Sequence, residues 1–271
     1  MPTAVIRRSL PHATVHPGIF PTAIRLRSGA VDADGYRPLA TLVARRVEER
    51  VAAEPGVARA LVVGIGGGVA VGKSTTAAYL AELLRPVTVE IVGTDGFLLS
   101  NAVLEARGLL WRKGFPESYD DTALRGFLLA ARRAGTDLAV PVYDHQTYDV
   151  VADVLRPVPP SAVIVVEGVN ALRYAAHLDL GVYLHAEVQH MEAWYAARFL
   201  DLCEQPPPGS FYEHFRGLDL AGREAVARDV WRSVNLVNLR EHILPTRAAA
   251  AVVVEKAADH TVTRTSVVER A

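Results

Sequence analysis

A single cysteine, Cys203, stands among 271 residues, so no disulfide framework can form within the chain, and the pattern fits a reducing compartment. No electropositive motif surrounds that cysteine, which reads as a buried, unreactive thiol. Net charge is nearly absent as well. Twenty-nine Lys and Arg against 30 Asp and Glu leave a formal charge of −1, which argues against a nucleic-acid partner drawn in by a global positive field. Long apolar runs are missing too: stretches such as residues 162–166 fall far short of the roughly 20 residues a membrane-spanning helix needs. Pro11, His12, His16 and Pro17 interrupt the apolar centre that a secretory leader would require. These absences lead us to expect a cytoplasmic globular protein with neither membrane nor nucleic acid as a partner.

What is present is half apolar and long enough to bury a sizeable core. Residues 1–35, rich in proline, glycine and short polar side chains, read as an N-terminal arm; residues 36–271 read as one domain. Leu39, Leu42, Val43, Val47 and Val51 recur at helical spacing until Pro55-Gly56 stops them. Short apolar, β-branched runs at 60–65, 87–92, 162–166, 180–184 and 250–254 read as buried strands. Helical patterns at 73–84, 123–134, 190–203 and 220–242 lie between them. Strands alternating with helices predict βαβ units, hence an α/β fold: a doubly wound, mainly parallel sheet with helices on both faces.

The first strand breaks into Gly67-Gly68-Val69-Ala70-Val71-Gly72-Lys73-Ser74, followed by Thr75. This is G-x-x-x-x-G-K-[ST] in its proper setting, leaving a strand and opening a helix. Its glycines let successive backbone N–H groups face nucleotide phosphates, and the helix N-terminus adds its positive dipole end. Lys73 brings a full cation to those phosphates, and the Ser74 hydroxyl can ligate Mg²⁺. Two carboxylates close neighbouring strands. Glu167 ends the run 162–166 and is placed for the metal; Asp95 follows the run 87–92 and is placed to accept a hydroxyl proton. The N-K-x-D guanine motif of nucleotide switches is absent. The residues therefore predict a P-loop kinase fold using ATP and Mg²⁺ on a small alcohol.

From residue 64 to 260 the chain also resembles bacterial type I pantothenate kinases. The resemblance is carried by V-A-V-G-K-S-T-T (69–76), T-D-G-F-L (94–98), K-G-F-P-E-S-Y-D (113–120), P-V-Y with His145 (141–145), E-G-V-N (167–170), Trp194-Tyr195 with Arg198-Phe199, and I-L-P-T-R (243–247). It implies ATP-dependent phosphorylation of the primary hydroxyl of pantothenate, the committing step of coenzyme A synthesis, by a homodimer. Asp95 then corresponds to the base at that hydroxyl. Tyr143, His145, Tyr195 and Asn235 correspond to the walls of the pantothenate site, Arg198 to a cation meeting the phosphates, and His260 to a residue packing on adenine. Residues 205–209, proline-stiffened, border an expected lid. One departure bears on the acceptor: where the family reads S-Y-F-x-x-Y, this chain has Ser210-Phe211-Tyr212-Glu213-His214-Phe215. The alternative acceptor is a pantothenate analogue or a nucleoside such as uridine.

Overall fold

The computed structural model describes residues 33–57, 59–206 and 210–268. Most of the expected arm, residues 1–32, and most of the expected lid border, residues 207–209, lie outside the described residues. A six-stranded sheet runs in the order β2 (Val89–Gly93), β5 (Val163–Glu167), β1 (Leu61–Gly67), β6 (Leu180–Ala186), β7 (Val252–Lys256), β8 (Val262–Val267). The first five are parallel, and β8 closes one edge antiparallel to β7. This is the expected doubly wound α/β arrangement.

The strand sequences explain the layering. Along β1, Leu61, Val63 and Ile65 enter one buried cluster and Val62 the other; β5 splits in the same way, Val163 and Val165 against Ile164 and Val166. A central strand covered on both faces has no solvent side, so its side chains are apolar without alternation. Helices α1 (Arg37–Ala53) and α2 (Lys73–Leu83) cover the first face, and α4 (Asp121–Ala131) covers the second after a short α3 (Asn101–Ala106). Pro38 sits in the first turn of α1, where its missing N–H costs nothing. Asp120 caps α4 by accepting from the Ala123 N–H at 2.9 Å.

Two elements go beyond the sequence reading. Strands β3 (Leu138–Asp144) and β4 (Asp149–Val158) form a separate antiparallel hairpin, with a register shift between Pro141 and Tyr143. Pro141 and Pro157 within the hairpin, and its partial exposure, hide it from a search for buried runs. Edge strand β8 is mostly Thr, Arg and Ser and was equally silent. After α5 (Val188–Glu204), the helical stretch expected over 220–242 begins as α6 (Leu220–Val230). It then passes through wider π-type turns at Trp231–Asn235 and Leu239–Ile243. Among the described residues, no helix is long and apolar enough to cross a membrane.

Candidate active site

Parallel register brings the functional ends together. Ile65 of β1 and Gly93 of β2 both stand opposite Glu167 of β5, so the loops leaving these strands open at one level, where such sheets bind ligands. The loop 67–72 turns into α2 at Gly72, whose φ of +89° is left-handed backbone that a residue with a Cβ adopts only under strain. Val71 is buried at the base of the loop, while Val69 and Ala70 form its crest, Ala70 with φ +63°. Lys73 donates to the Gly68 carbonyl at 2.8 Å, and Ser74 Oγ donates to Glu167 Oε1 at 2.7 Å. Thr75 lies half-buried in the first turn of α2.

Burial sets the electrostatics here. It pushes the Lys73 ammonium below its usual pKa, opposed by the carboxylates of Glu167 and Asp95. It pushes Glu167 up, opposed by Lys73 and by the Ser74 hydrogen bond. The two charges thus hold one another in a partly buried site. A hydroxyl and a carboxylate side by side are hard oxygen donors suited to Mg²⁺, which keeps most of its shell for water and phosphate oxygens and needs few protein ligands.

Asp95 lies in the turn Thr94–Phe97 directly after β2. The next residue, Gly96, lets the hairpin close over this turn, because a Cβ there would come within 2.3 Å of the Pro141 carbonyl oxygen. The chain around Leu98 pairs with Tyr119, and this directs the Tyr119 hydroxyl to donate to Asp95 Oδ1 at 3.4 Å. Tyr119 is buried, and both burial and the Asp95 charge hold its pKa well above the usual value.

The hairpin contributes an aromatic wall. Tyr143 meets His145 edge-on at 5.0 Å and Tyr148 at 6.3 Å, and Tyr148 stacks on Phe211 at 5.0 Å. The Lys113 ammonium lies 4.5 Å from the Tyr148 ring centre and donates to Asn101 Oδ1 at 2.5 Å and to the Tyr148 carbonyl. Burial drops the Lys113 pKa to about 8 against the pull of Asp149 and Asp95. Burial likewise lowers His145, which feels the charges of Asp95 and Arg198, and raises Tyr143 and Tyr148.

From the far side, α5 presents Tyr195 and Arg198, three residues apart on one face. Arg198 is exposed, yet its charge acts on Lys73, Glu167 and His145, so it spans both halves of the site. Burial lifts the Tyr195 hydroxyl to about 12, and the Asn235 side chain beside it draws it down. Asn235 closes the first π-type turn, a widened backbone common at functional sites, and its side chain sits against the Tyr195 hydroxyl. His260 lies apart from this cluster, in the turn after β7. It stacks on Trp194 at 3.8 Å, and Trp194 Nε1 donates to the Ala258 carbonyl at 2.8 Å.

Hydrogen bonds and charge interactions thus link Lys73, Ser74, Asp95, Glu167, Arg198, Tyr143, His145, Tyr195 and Asn235 as neighbours, and His260 stacks on Trp194, the residue before Tyr195. Sequence reasoning named no site role for Tyr119 or Tyr148, and Lys113, Trp194 and Phe211 entered it only as parts of matching or departing strings. The string K-G-F-P-E-S-Y-D at 113–120 was the signal for two of them, since nothing in generic folding explains its composition.

No protein-family profile matches the chain. A D-glycerate 3-kinase from Cryptococcus neoformans var. grubii shares the fold, with a TM-score of 0.57 at 12% identity over 85% of this chain and 99% of that one. A pantothenate kinase of Sorangium cellulosum is 44% identical over 233 residues, 80% of this chain and 76% of that protein. One from Corynebacterium glutamicum is 40% identical over 256 residues, 86% of this chain and 81% of that protein. With the phosphate loop, the paired carboxylates and identity of this extent over most of its length, the chain belongs to the pantothenate kinase family of ATP-dependent kinases.

Proposed function

We propose that the protein transfers the γ-phosphoryl group of ATP to the primary hydroxyl of pantothenate, the first step of coenzyme A biosynthesis. The observation that carries this reading is the position of Asp95. Its charge acts on Lys73 and Glu167 on the phosphate side and on Lys113, Tyr143, Tyr148 and His145 on the aromatic side. A carboxylate between a phosphate loop and a polar aromatic pocket is where a base for an acceptor hydroxyl belongs.

In this mechanism Asp95 accepts the hydroxyl proton and aims the oxygen at the phosphoryl group, with Tyr119 fixing the carboxylate. The amides of the loop 67–72 and the Lys73 ammonium hold the phosphates, and Arg198 adds positive charge where negative charge builds up in the transition state. Ser74 and Glu167 would hold Mg²⁺, which when bound offsets phosphate charge. The Tyr195 hydroxyl, the Asn235 amide and the Lys113 ammonium supply polar anchors suited to the carboxylate, amide and hydroxyls of pantothenate, against the rings of Tyr143 and Tyr148. His260, carried on Trp194, packs against the adenine. Assembly as a homodimer in the cytoplasm belongs to the same reading.

A coupled ADP-release assay with Mg²⁺ and either pantothenate or uridine tests it. Turnover is expected with pantothenate; robust turnover with uridine alone would replace pantothenate with a nucleoside.

A further inference from the structure

Besides Lys73, which opens α2, a buried lysine from another strand touches the phosphate loop. Lys256 is the last residue of β7, pinned by pairing with Ala186 on one side and Val262 on the other. Its side chain is buried, and its ammonium donates to the Val71 carbonyl at 3.1 Å. A Cβ added to Gly72 would stand 2.8 Å from the same nitrogen. Burial brings the Lys256 pKa to about 8, and among the described residues no carboxylate contributes to its charge balance.

A buried ammonium satisfied by a single carbonyl is an expensive way to brace a loop. A neutral donor would brace it at less cost, so the charge itself calls for an explanation. The Val71 carbonyl and the Gly72 N–H belong to one planar trans peptide, and they point in opposite directions. A cation on the oxygen draws electron density through the amide and makes the N–H a stronger donor on the far side. In a loop of this sequence that N–H faces the nucleotide phosphates.

We propose that Lys256 is a positioning residue for nucleotide binding, acting through the Val71–Gly72 peptide to strengthen the grip of the loop on the phosphates. The phosphates in turn supply the negative charge that Lys256 lacks. The lysine also joins the two ends of the nucleotide site. Four residues after it, inside the turn closed by the Ala257 N–H on the Thr261 carbonyl, comes His260 on Trp194. The proposal rests on the reading of the loop as an ATP site and adds a residue that does not touch the ligand.

The test measures the affinities of ATP and of adenosine, with ATP KM and kcat, for the full chain and for Lys256→Met, Lys256→Gln and Lys256→Arg. Lys256→Met should raise the Kd and KM for ATP about tenfold, the scale of one charge-assisted hydrogen bond. Adenosine affinity should hold, and kcat at saturating ATP should change far less than KM, because the contact serves ground and transition states alike. Lys256→Arg should restore most of the loss. Lys256→Gln, which keeps a donor without charge, should weaken ATP as Lys256→Met does, and it carries the test if Lys256→Met does not fold. Unchanged ATP affinity in Lys256→Met, equal loss of ATP and adenosine, or a Lys256→Gln variant as good as the natural protein would each overturn the proposal. Failure of the natural protein to bind ATP at all would overturn the ATP-site reading along with it.

Discussion

The phosphate end and the acceptor end of this site are built in different ways. The proposed phosphate end is one unbroken stretch, residues 67–75, with the carboxylate of Glu167 added from the neighbouring strand. The acceptor end is made of side chains from the turn after β2, the segment 113–119, the β3–β4 hairpin, α5 and the π-type turn at Trp231–Asn235. A backbone cradle depends on glycine geometry and tolerates little change. A pocket assembled from separate elements can change its acceptor by exchanging one ring for another.

The largest effect should come from the phosphate end. Lys73→Ala is expected to lower kcat/KM by about a thousandfold, since it removes the cation that meets the transferring group. A loss below tenfold in the ADP-release assay would mean that Arg198 carries that charge instead, and the contrast between the two ends would blur.

Asp95→Asn stands at the junction. It keeps the shape and removes proton acceptance, so kcat should fall about a hundredfold or more, while ATP affinity measured by direct binding stays close to that of the natural protein. Near-normal kcat would take the base role away from Asp95.

Smaller effects belong to the acceptor end. Tyr195→Phe deletes a hydroxyl beside Asn235 and should raise the acceptor KM by about tenfold with ATP KM unchanged. An equal rise in both would show that the two ends are not separable.

The smallest effect is on stability. The Lys113 pKa is about 8 in the fold, below the ordinary lysine value of the unfolded chain. Between those values the unfolded state holds more protons, so this residue makes the protein more stable as pH rises through the window. Urea unfolding at about pH 7.5 and about pH 9.5 should show the natural protein gaining on Lys113→Met. No relative gain would mean that Lys113 is less desolvated than its packing on Tyr148 and Tyr143 implies.

What could be read from the residues follows the same division. The strands of the parallel core, the loop 67–74 and the carboxylates Glu167 and Asp95 were legible, because buried parallel strands must be apolar throughout and a phosphate cradle needs glycines and a lysine at fixed spacing. The β3–β4 hairpin and β8 were not legible: their half-exposed positions accept polar residues and proline, so composition carries little signal. Long-range partners were hidden for a related reason. Nothing local in Tyr119 says that the pairing around Leu98 will aim it at Asp95. Nothing in a β-strand ending in Lys256 says that its ammonium will reach Val71, 185 residues earlier in the chain. Sequence determined the local form of the loop 67–74 at the proposed phosphate end, because that form is local backbone. Only the tertiary structure decided which distant side chains would stand around the acceptor, because those contacts arise when the strands align and the helices pack.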